Sequence, residues 1–170
     1  MPGLRVNWSF GEQIAMPIRW MTEKSAYEFL ARQTEGRLAT SNRAGEPYIT
    51  PLNHLLHGGR IYFHCKLTGQ MLENLAENPR VCFEVSEVEK IVASDSLPCY
   101  CATRYTSVLA FGTARLLNDE GEKATVLNRM VERFANGKSF APILKSHAAT
   151  CAVVEIAVER ISGKRNVDPE

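Results

Sequence analysis

The stretch RLATSNRAGEPYITPLNHLLHGGRIYFH, residues 37–64, decides the fold class. Its apolar residues recur with the two-residue period of strands, which we predict at residues 37–41, 47–56 and 60–64. Tight turns separate the strands, the first at residues 42–46 and the second at Gly58-Gly59. Pro51 has no N–H group to donate and is predicted to interrupt the second strand. Three closely spaced strands predict an antiparallel meander.

The segments on either side alternate between helical and strand periods. We predict helices that begin at Thr22, Gly69 and Asp119 and end at Gly36, Glu77 and Asn136-Gly137. We predict three further strands at residues 80–87, 105–117 and 150–161, with a bulge or bend at Gly112. Residues 89–101 have no clear period and are predicted to form a loop. About six strands without alternating long helices predict a mainly β fold (α+β by content), an antiparallel six-stranded barrel with flanking helices.

Size and charge exclude several classes of protein. The chain has 170 residues and a formal net charge of +1, with 20 basic and 19 acidic residues, and no basic stripe for nucleic acid. No apolar run approaches the roughly 18 residues that cross a bilayer. Residues 1–20 lack the pattern of a secretory signal and resemble an extended arm. We therefore expect a cytoplasmic protein that binds neither nucleic acid nor membrane, with its five cysteines as free thiols.

The segment IYFHCKLTGQML, residues 61–72, has the pattern of a phosphate site. A strand ends at His64, a short loop offers Lys66 and Thr68, and a helix begins at Gly69. Free N–H groups at a helix N-terminus favour an anion, to which a hydroxyl and a cation add further attraction. An ordinary strand-to-helix connection with polar surface residues is the other interpretation of this pattern.

Three rival chemistries stay open at this stage. Cys99-Tyr100-Cys101 invites a metal site, although no second pair lies at zinc-ribbon spacing. Cys65 beside His64 invites nucleophilic catalysis, although adjacent strand residues point to opposite faces. Haem binding is the third possibility, with an axial ligand chosen from His54, His57 and His147.

In its order of motifs the sequence resembles the FMN-binding split-barrel proteins related to pyridoxamine 5′-phosphate oxidase, and within them the nitroimidazole-resistance branch. The resemblance spans residues 21–164 and rests on GRLAT (36–40), EPYITPLN (46–53), IYFH (61–64) followed by Gly69, LENL (72–75), NPRVCFEV (78–85), YTSV (105–108) with Gly112, and ISGK (161–164). It divides the chain into an N-terminal arm (1–20), an FMN-binding domain (21–165) and a C-terminal tail (166–170).

The resemblance implies a cofactor and the residues that bind it. The flavin ring is expected along the second strand, at Thr50, Pro51, Leu52 and Asn53. The phosphate is expected where the third strand enters the short helix, at His64, Cys65, Lys66, Thr68, Gly69 and Gln70. Tyr105 and Ser107 are expected to line the same pocket. The resemblance also implies a homodimer with flavin at the subunit interface, so that the partner chain completes each site.

The implied function is that of an FMN-dependent oxidoreductase acting between a small-molecule electron donor and an acceptor such as a nitro-aromatic or quinone. A non-catalytic flavin or haem carrier or sensor is the alternative. Position 70 is Gln where many relatives of the oxidase carry Lys, which removes a charge-assisted bond to the phosphate. Basic residues for a substrate phosphate are not evident near the C-terminus, where Gly163-Lys164-Arg165 is a weak candidate. No residue is assigned as catalytic.

Overall fold

The computed structural model describes residues 18–92 and 102–166. The strands in these residues are β1 (Ile18–Trp20), β2 (Glu35–Ser41), β3 (Pro47–Asn53), β4 (Leu55–His57), β5 (Arg60–Cys65), β6 (Arg80–Val92), β7 (Ala102–Leu116) and β8 (Ala152–Asn166). The helices are α1 (Glu23–Arg32), α2 (Gln70–Glu77), α3 (Glu120–Phe134) and α4 (Lys145–Ala148). None of these helices is both long and apolar enough to cross a bilayer.

All strand pairs within the described residues are antiparallel, in the order β3-β2-β6-β7-β8-β5-β4, with β1 added on β8. β3 and β4 lie at opposite ends of this order, yet only His54 separates them in the chain. The sheet must therefore curl until its two ends meet at His54. This confirms the predicted antiparallel split barrel with flanking helices. The described residues form eight strands rather than six, because the predicted strand 47–56 is divided into β3 and β4 and because β1 is a short strand without a clear period.

Both hairpins of the predicted meander form, but its middle strand is divided at His54. β2 pairs with β3 and β4 pairs with β5, but these two hairpins lie at opposite ends of the sheet order. Pro51 does not interrupt its strand, since it lies within β3 opposite Arg37. β3 is an edge strand, where a missing N–H group is tolerated. The break comes at His54, which is fully buried with its Nε2 3.1 Å from the carbonyl oxygen of Leu30.

The barrel interior is filled by the inward residues of the long strands and by α1. Alternate residues Val81, Phe83 and Val85 of β6 are buried, as their period predicts. Gly36 does not end α1, which stops at Arg32, but lies within β2. A Cβ at Gly36 would stand 2.2 Å from Cζ of Phe83, so the absence of a side chain there lets the phenyl ring fill the barrel.

β6 and β8 each run five residues further than their periodicity predicts. β6 continues through a register shift between Val88 and Lys90 to Val92, so residues 89–92 are strand rather than loop. β8 continues past Ile161 to Asn166, where β1 pairs with it. Residues 93–101 of the predicted loop, residues 1–17 of the predicted arm and residues 167–170 of the predicted tail lie outside the described residues. The predicted bulge at Gly112 is confirmed by a register shift between Phe111 and Gly112.

α3 covers the outside of the barrel beside β5 and β8. Asp119 caps it by accepting a hydrogen bond from the N–H group of Glu122 at 2.7 Å. Its buried side chains form a second apolar cluster with Tyr62 and Val153. One face of β5 therefore packs in the barrel core, and the other face packs against α3.

Candidate functional site

The connection from β5 to α2 has the features of an anion site. Gly69 is the residue before α2 and has φ of +138°, a conformation that L side chains rarely adopt. No side chain caps α2, so its first N–H groups have no side-chain acceptor. Lys66 and Thr68 are exposed in the same loop. These groups could hold a phosphate by hydrogen bonds and by charge.

Gln70, at the start of α2, is exposed, and its side chain is bonded along the helix. Its Nε2 donates to Oδ1 of Asn74 at 2.9 Å, and Nδ2 of Asn74 donates to the hydroxyl of Thr40 at 3.1 Å. Asn74 is only 2% exposed, so this chain of bonds fixes α2 on β2. The role of Asn74 was not predicted from the sequence. Its one signal is its place beside Leu75 on the buried face of α2.

The predicted ring strand, β3, is open along one edge. An edge strand turns alternate backbone N–H and C=O groups away from its neighbour, and β2 is the one neighbour of β3 among the described strands. The hydroxyl of Thr50 is buried and has no hydrogen-bond partner in the part of the chain that the structure describes. Pro51 and Asn53 are exposed and Leu52 is half-buried against the core. β3 thus has polar groups left over for a ligand.

One pocket joins the predicted ring strand to the predicted phosphate strand. Asn53 of β3 and His64 of β5 line it together, and its volume is about 420 Å³. Its other lining residues are Leu127, Met130, Val131, Phe134 and Ile143. We call it the α3 pocket. The apolar residues of α3 recur at the spacing of a packed helix face, and this spacing alone does not reveal that part of the face borders an open cavity.

His64 and Cys65 face opposite sides of β5. His64 lines the α3 pocket, whereas Cys65 packs against the barrel core. Burial raises the pKa of the Cys65 thiol above its usual value, and the nearby Cys151 raises it further. A raised pKa lowers the thiolate fraction, so these findings disfavour Cys65 as a nucleophile.

Tyr105 and Ser107 do not join the other predicted site residues within one chain. Ser107 pairs with Lys164 near one end of β8, whereas His64 pairs with Val153 near the other end. Tyr105 lies beside Lys164, whose Nζ is 5.8 Å from the centre of the tyrosine ring. Both residues are half-buried on β7. The predicted site is therefore brought together in its β3, β5 and α2 parts only.

Among the described residues the rival metal ligands are not gathered at one place, and the three histidines that could hold haem lie in different surroundings. No group of three His, Cys, Asp or Glu side chains in residues 18–92 and 102–166 is arranged to hold a metal ion, and Cys99 and Cys101 lie outside these residues. His54 is buried against Leu30, and Nδ1 of His147 lies 3.3 Å from the N–H group of Leu144. His57 is exposed beside the Gly58-Gly59 turn.

Three solved structures share this fold along most of their length. A protein of Bacteroides thetaiotaomicron described as a 5-nitroimidazole antibiotic resistance protein aligns with a TM-score of 0.73 and 20% identity, over 88% of this chain and 89% of that one. The flavocytochrome Anf3 of Azotobacter vinelandii aligns with a TM-score of 0.76 and 23% identity, over 89% of this chain and 70% of that one. The FAD and heme binding protein of Mycobacterium smegmatis aligns with a TM-score of 0.76 and 20% identity, over 89% of this chain and 75% of that one.

At such low identity these structures establish the fold alone, and no curated protein matches the chain significantly. The family is established by a different comparison. The sequence profile described as pyridoxamine 5′-phosphate oxidase matches residues 22–165, which is nearly the whole described barrel. The chain therefore belongs to the pyridoxamine 5′-phosphate oxidase family.

Proposed function

We propose that this protein binds FMN and acts as a flavin-dependent oxidoreductase. The observation that carries the proposal is the uncapped N-terminus of α2, which follows Gly69 and lies in one chain segment with His64, Lys66 and Thr68. This donor set suits a phosphate dianion, because it combines N–H groups, a hydroxyl and a cation. Membership of the family and the flavin-related names of two similar structures support a flavin as the carrier of that phosphate.

In this proposal the isoalloxazine ring lies along β3. The buried hydroxyl of Thr50 and the open edge of β3 have no partner within the described residues, and these polar groups suit the polar rim of such a ring. Pro51, Leu52 and Asn53 would contact the ring, and Cys65, Gly69 and Gln70 would approach the phosphate through their backbones. A bound flavin would supply the one- and two-electron chemistry. The chain would contribute binding, orientation and exclusion of water.

We further propose that the protein is a homodimer whose partner subunit completes the site. The strand register aligns Ile18, Tyr105 and Val88 in one row across the sheet. Trp20 and Ser107 lie in the next row on the same face. Trp20 is 73% exposed and Val88 is 61% exposed, which is unusual for large apolar side chains outside an interface. Covering this face with a second copy would also give Tyr105 and Ser107 a route to the other subunit's flavin.

The first test is the absorbance spectrum of the purified protein after incubation with FMN or with FAD and removal of the excess by gel filtration. We expect about one retained FMN per chain. Thr68→Ala should weaken retention severalfold through the lost hydroxyl donor, and His64→Ala should do so through the lost imidazole. Thr125→Ala removes a hydroxyl from the exposed side of α3 and is the matched control. Retention of neither flavin would refute the proposal.

Oxidoreductase activity needs its own test. Flavin-loaded protein should oxidise NADH or NADPH in the presence of a nitro-aromatic or quinone acceptor. Stable flavin without any such turnover would instead support the carrier or sensor alternative. A Soret band in the spectrum of the purified protein would support the haem form of that alternative.

A further inference from the structure

A second cleft lies between the β4–β5 hairpin and the first turns of α3, and its volume is about 240 Å³. Seven residues line it, three from the hairpin and four from α3, and none of the seven belongs to the predicted flavin site. Its floor is apolar, because Leu55, Tyr62 and Val126 are buried there. We call it the hairpin cleft. It is a candidate for ligand binding that is separate from the flavin site.

The two walls of the hairpin cleft are tied together by the hydrogen bonds around Glu155. Tyr62 of the hairpin donates to this carboxylate at 2.9 Å, and Arg60 of the same hairpin donates to it at 2.8 Å. Arg115 donates to Glu155 at 2.9 Å and also to Glu122 of α3 at 3.3 Å. These bonds connect the hairpin to α3, so the cleft has its shape before any ligand arrives.

One cation of the hairpin cleft is left without a counter-charge. In the network beneath the cleft, two arginines and two glutamates compensate each other. Arg129, which lines the cleft from α3, has no ion-pair or hydrogen-bond partner among the described residues. His57 lines the other wall, is exposed, and adds an imidazole that can donate a hydrogen bond. This pair of groups favours an anionic ligand.

The form of the charge narrows the class of anion. The planar guanidinium of an arginine can bind a carboxylate through two parallel hydrogen bonds. A single uncompensated charge suits a monoanion, because a second negative group would meet no further cation and would approach Glu122 on the same wall. The apolar floor adds that the rest of the ligand is apolar.

We propose that the hairpin cleft binds a small monocarboxylate with an apolar body of about one ring. The carboxylate would lie between Arg129 and His57, and the body would cover Leu55, Val126 and the ring of Tyr62. The volume of about 240 Å³ is below the range of sites for drug-sized ligands and limits the acid to this size. This site does not rest on the flavin function proposed above.

The test compares benzoate with benzamide, which has nearly the same shape and no charge. Their dissociation constants are measured by saturation-transfer NMR at pH 7, with and without FMN. We expect benzoate to bind at about 1 mM and benzamide about tenfold more weakly. Arg129→Met keeps the length of the side chain and removes its charge, so benzoate should weaken about tenfold while benzamide is unchanged. Arg129→Lys should restore part of the loss.

Thr125→Trp fills the cleft from α3 and should weaken both probes. Arg43→Met is the matched control, because Arg43 is another exposed arginine without an ion-pair partner among the described residues and lies in the turn between β2 and β3. It should bind both probes as the wild type does, and thermal unfolding checks that every variant is folded.

Equal affinity of the wild type for the two probes, or benzoate affinity that neither Arg129→Met nor Thr125→Trp changes, would overturn the proposal. Displacement of benzoate by FMN would also overturn it, since this would place the probe in the flavin site. Arg129-dependent benzoate binding by a protein that retains no FMN would uphold the hairpin cleft and refute the flavoprotein function.

Discussion

Gln70 and Asn74, one helical turn apart on α2, are joined by a hydrogen bond of 2.9 Å from the glutamine Nε2 to the asparagine Oδ1. Asn74 in turn donates to Thr40 of β2, so residue 70 helps to fix the helix on the barrel. A lysine at this position would lie in the first turn of α2, where a phosphate would be held. Gln70 therefore serves the packing of α2 at the place where many relatives offer a cation.

We predict that Gln70→Lys strengthens FMN binding about tenfold. A charge-assisted hydrogen bond contributes on the order of 1.5–3 kcal/mol, which corresponds to about tenfold or more in the dissociation constant, and the lost bond to Asn74 lowers the stability of the free and the bound protein alike. Gln70→Met removes that bond without adding charge and is the control. The dissociation constants are measured by quenching of FMN fluorescence at low and high salt, since screening should reduce the gain. Equal affinities of the Lys and Met variants would contradict a phosphate at α2.

We predict that His54 makes the folded protein less stable in mild acid than at neutral pH. Burial lowers the pKa of His54 to about 4, with the bond to Leu30 opposing this effect and the charge of Arg133 adding to it. The unfolded chain therefore binds a proton more readily than the folded protein as the pH falls below about 6.5. The free energy of unfolding should decrease by about 2–3 kcal/mol between pH 7 and pH 4.5 from this residue.

Urea unfolding of the wild type and of His54→Gln at both pH values measures this contribution. Glutamine keeps an amide near the carbonyl oxygen of Leu30 and does not titrate. The difference in unfolding free energy between the two proteins should therefore change with pH, in favour of the variant at pH 4.5. A difference that stays constant from pH 7 to pH 4.5 would show that His54 does not titrate in this range.

Glu155 is the buried centre of a charged cluster between β5, β7 and β8, in which Arg60 and Arg115 are half-exposed. It is 3% exposed and accepts hydrogen bonds from Arg60 at 2.8 Å, Tyr62 at 2.9 Å and Arg115 at 2.9 Å. Burial acts to raise the pKa of Glu155, but the bonds from Arg115 and Tyr62 and the charges of Arg115 and Arg60 outweigh it and lower the pKa. Burial and the bond to Glu155 raise the pKa of Tyr62 to about 12.

We predict that Glu155→Gln lowers the free energy of unfolding by about 2 kcal/mol at pH 7, because a neutral amide with one acceptor oxygen replaces the buried carboxylate that accepts from Tyr62 and from the half-exposed Arg60 and Arg115. The contribution of Glu155 is present above the ordinary carboxyl pKa of about 4.5 and is lost as the pH falls through its lower folded value. The deficit of the variant should therefore shrink below about pH 4.5. Glu159→Gln, at a carboxylate 46% exposed beside Arg80, is the control and should cost less than about 1 kcal/mol. Equal effects at the two positions would refute the prediction.

Local patterns predicted the parts of the fold that depend on neighbouring residues in the chain. The cap at Thr22 and the buried face of α1 follow from spacing within one helix, and the alternation of β6 follows from the period of a strand. The closure of the barrel at His54 could not be predicted this way, because it joins the two ends of a sheet whose order is set by distant pairings. The contact that requires Gly36 likewise lies on another strand, at Phe83.

The candidate site shows the same division. The segment from His64 to Gly69 is continuous in sequence, and its exposed loop and uncapped helix could be predicted from it. The α3 pocket joins β3, β5 and α3, and only the tertiary fold brings these elements together. Tyr105 and Ser107 follow the motifs of the family, yet lie far from His64 along β8. If the site is shared between subunits, Tyr105 and Ser107 of one subunit would contact the flavin bound by His64 of the other.

That shared site makes a prediction about mixtures of variants. If one subunit supplies His64 and the other supplies Tyr105, then His64→Ala and Tyr105→Ala each damage every site of their own homodimer. A heterodimer of the two variants would hold one intact site and one site with both changes. An equal mixture after subunit exchange contains half heterodimers, so roughly a quarter of all sites should regain wild-type FMN affinity.

The measurement is FMN titration of the two variants, separately and after exchange in mild urea, with the dimer followed by sedimentation. Exchange between His64→Ala and Thr68→Ala is the control, because both residues belong to the phosphate site of the same subunit. In that control each heterodimer site carries a single change, and no tight sites should appear. If the mixture of His64→Ala and Tyr105→Ala also regains no tight sites although heterodimers form, Tyr105 does not act across the subunit interface.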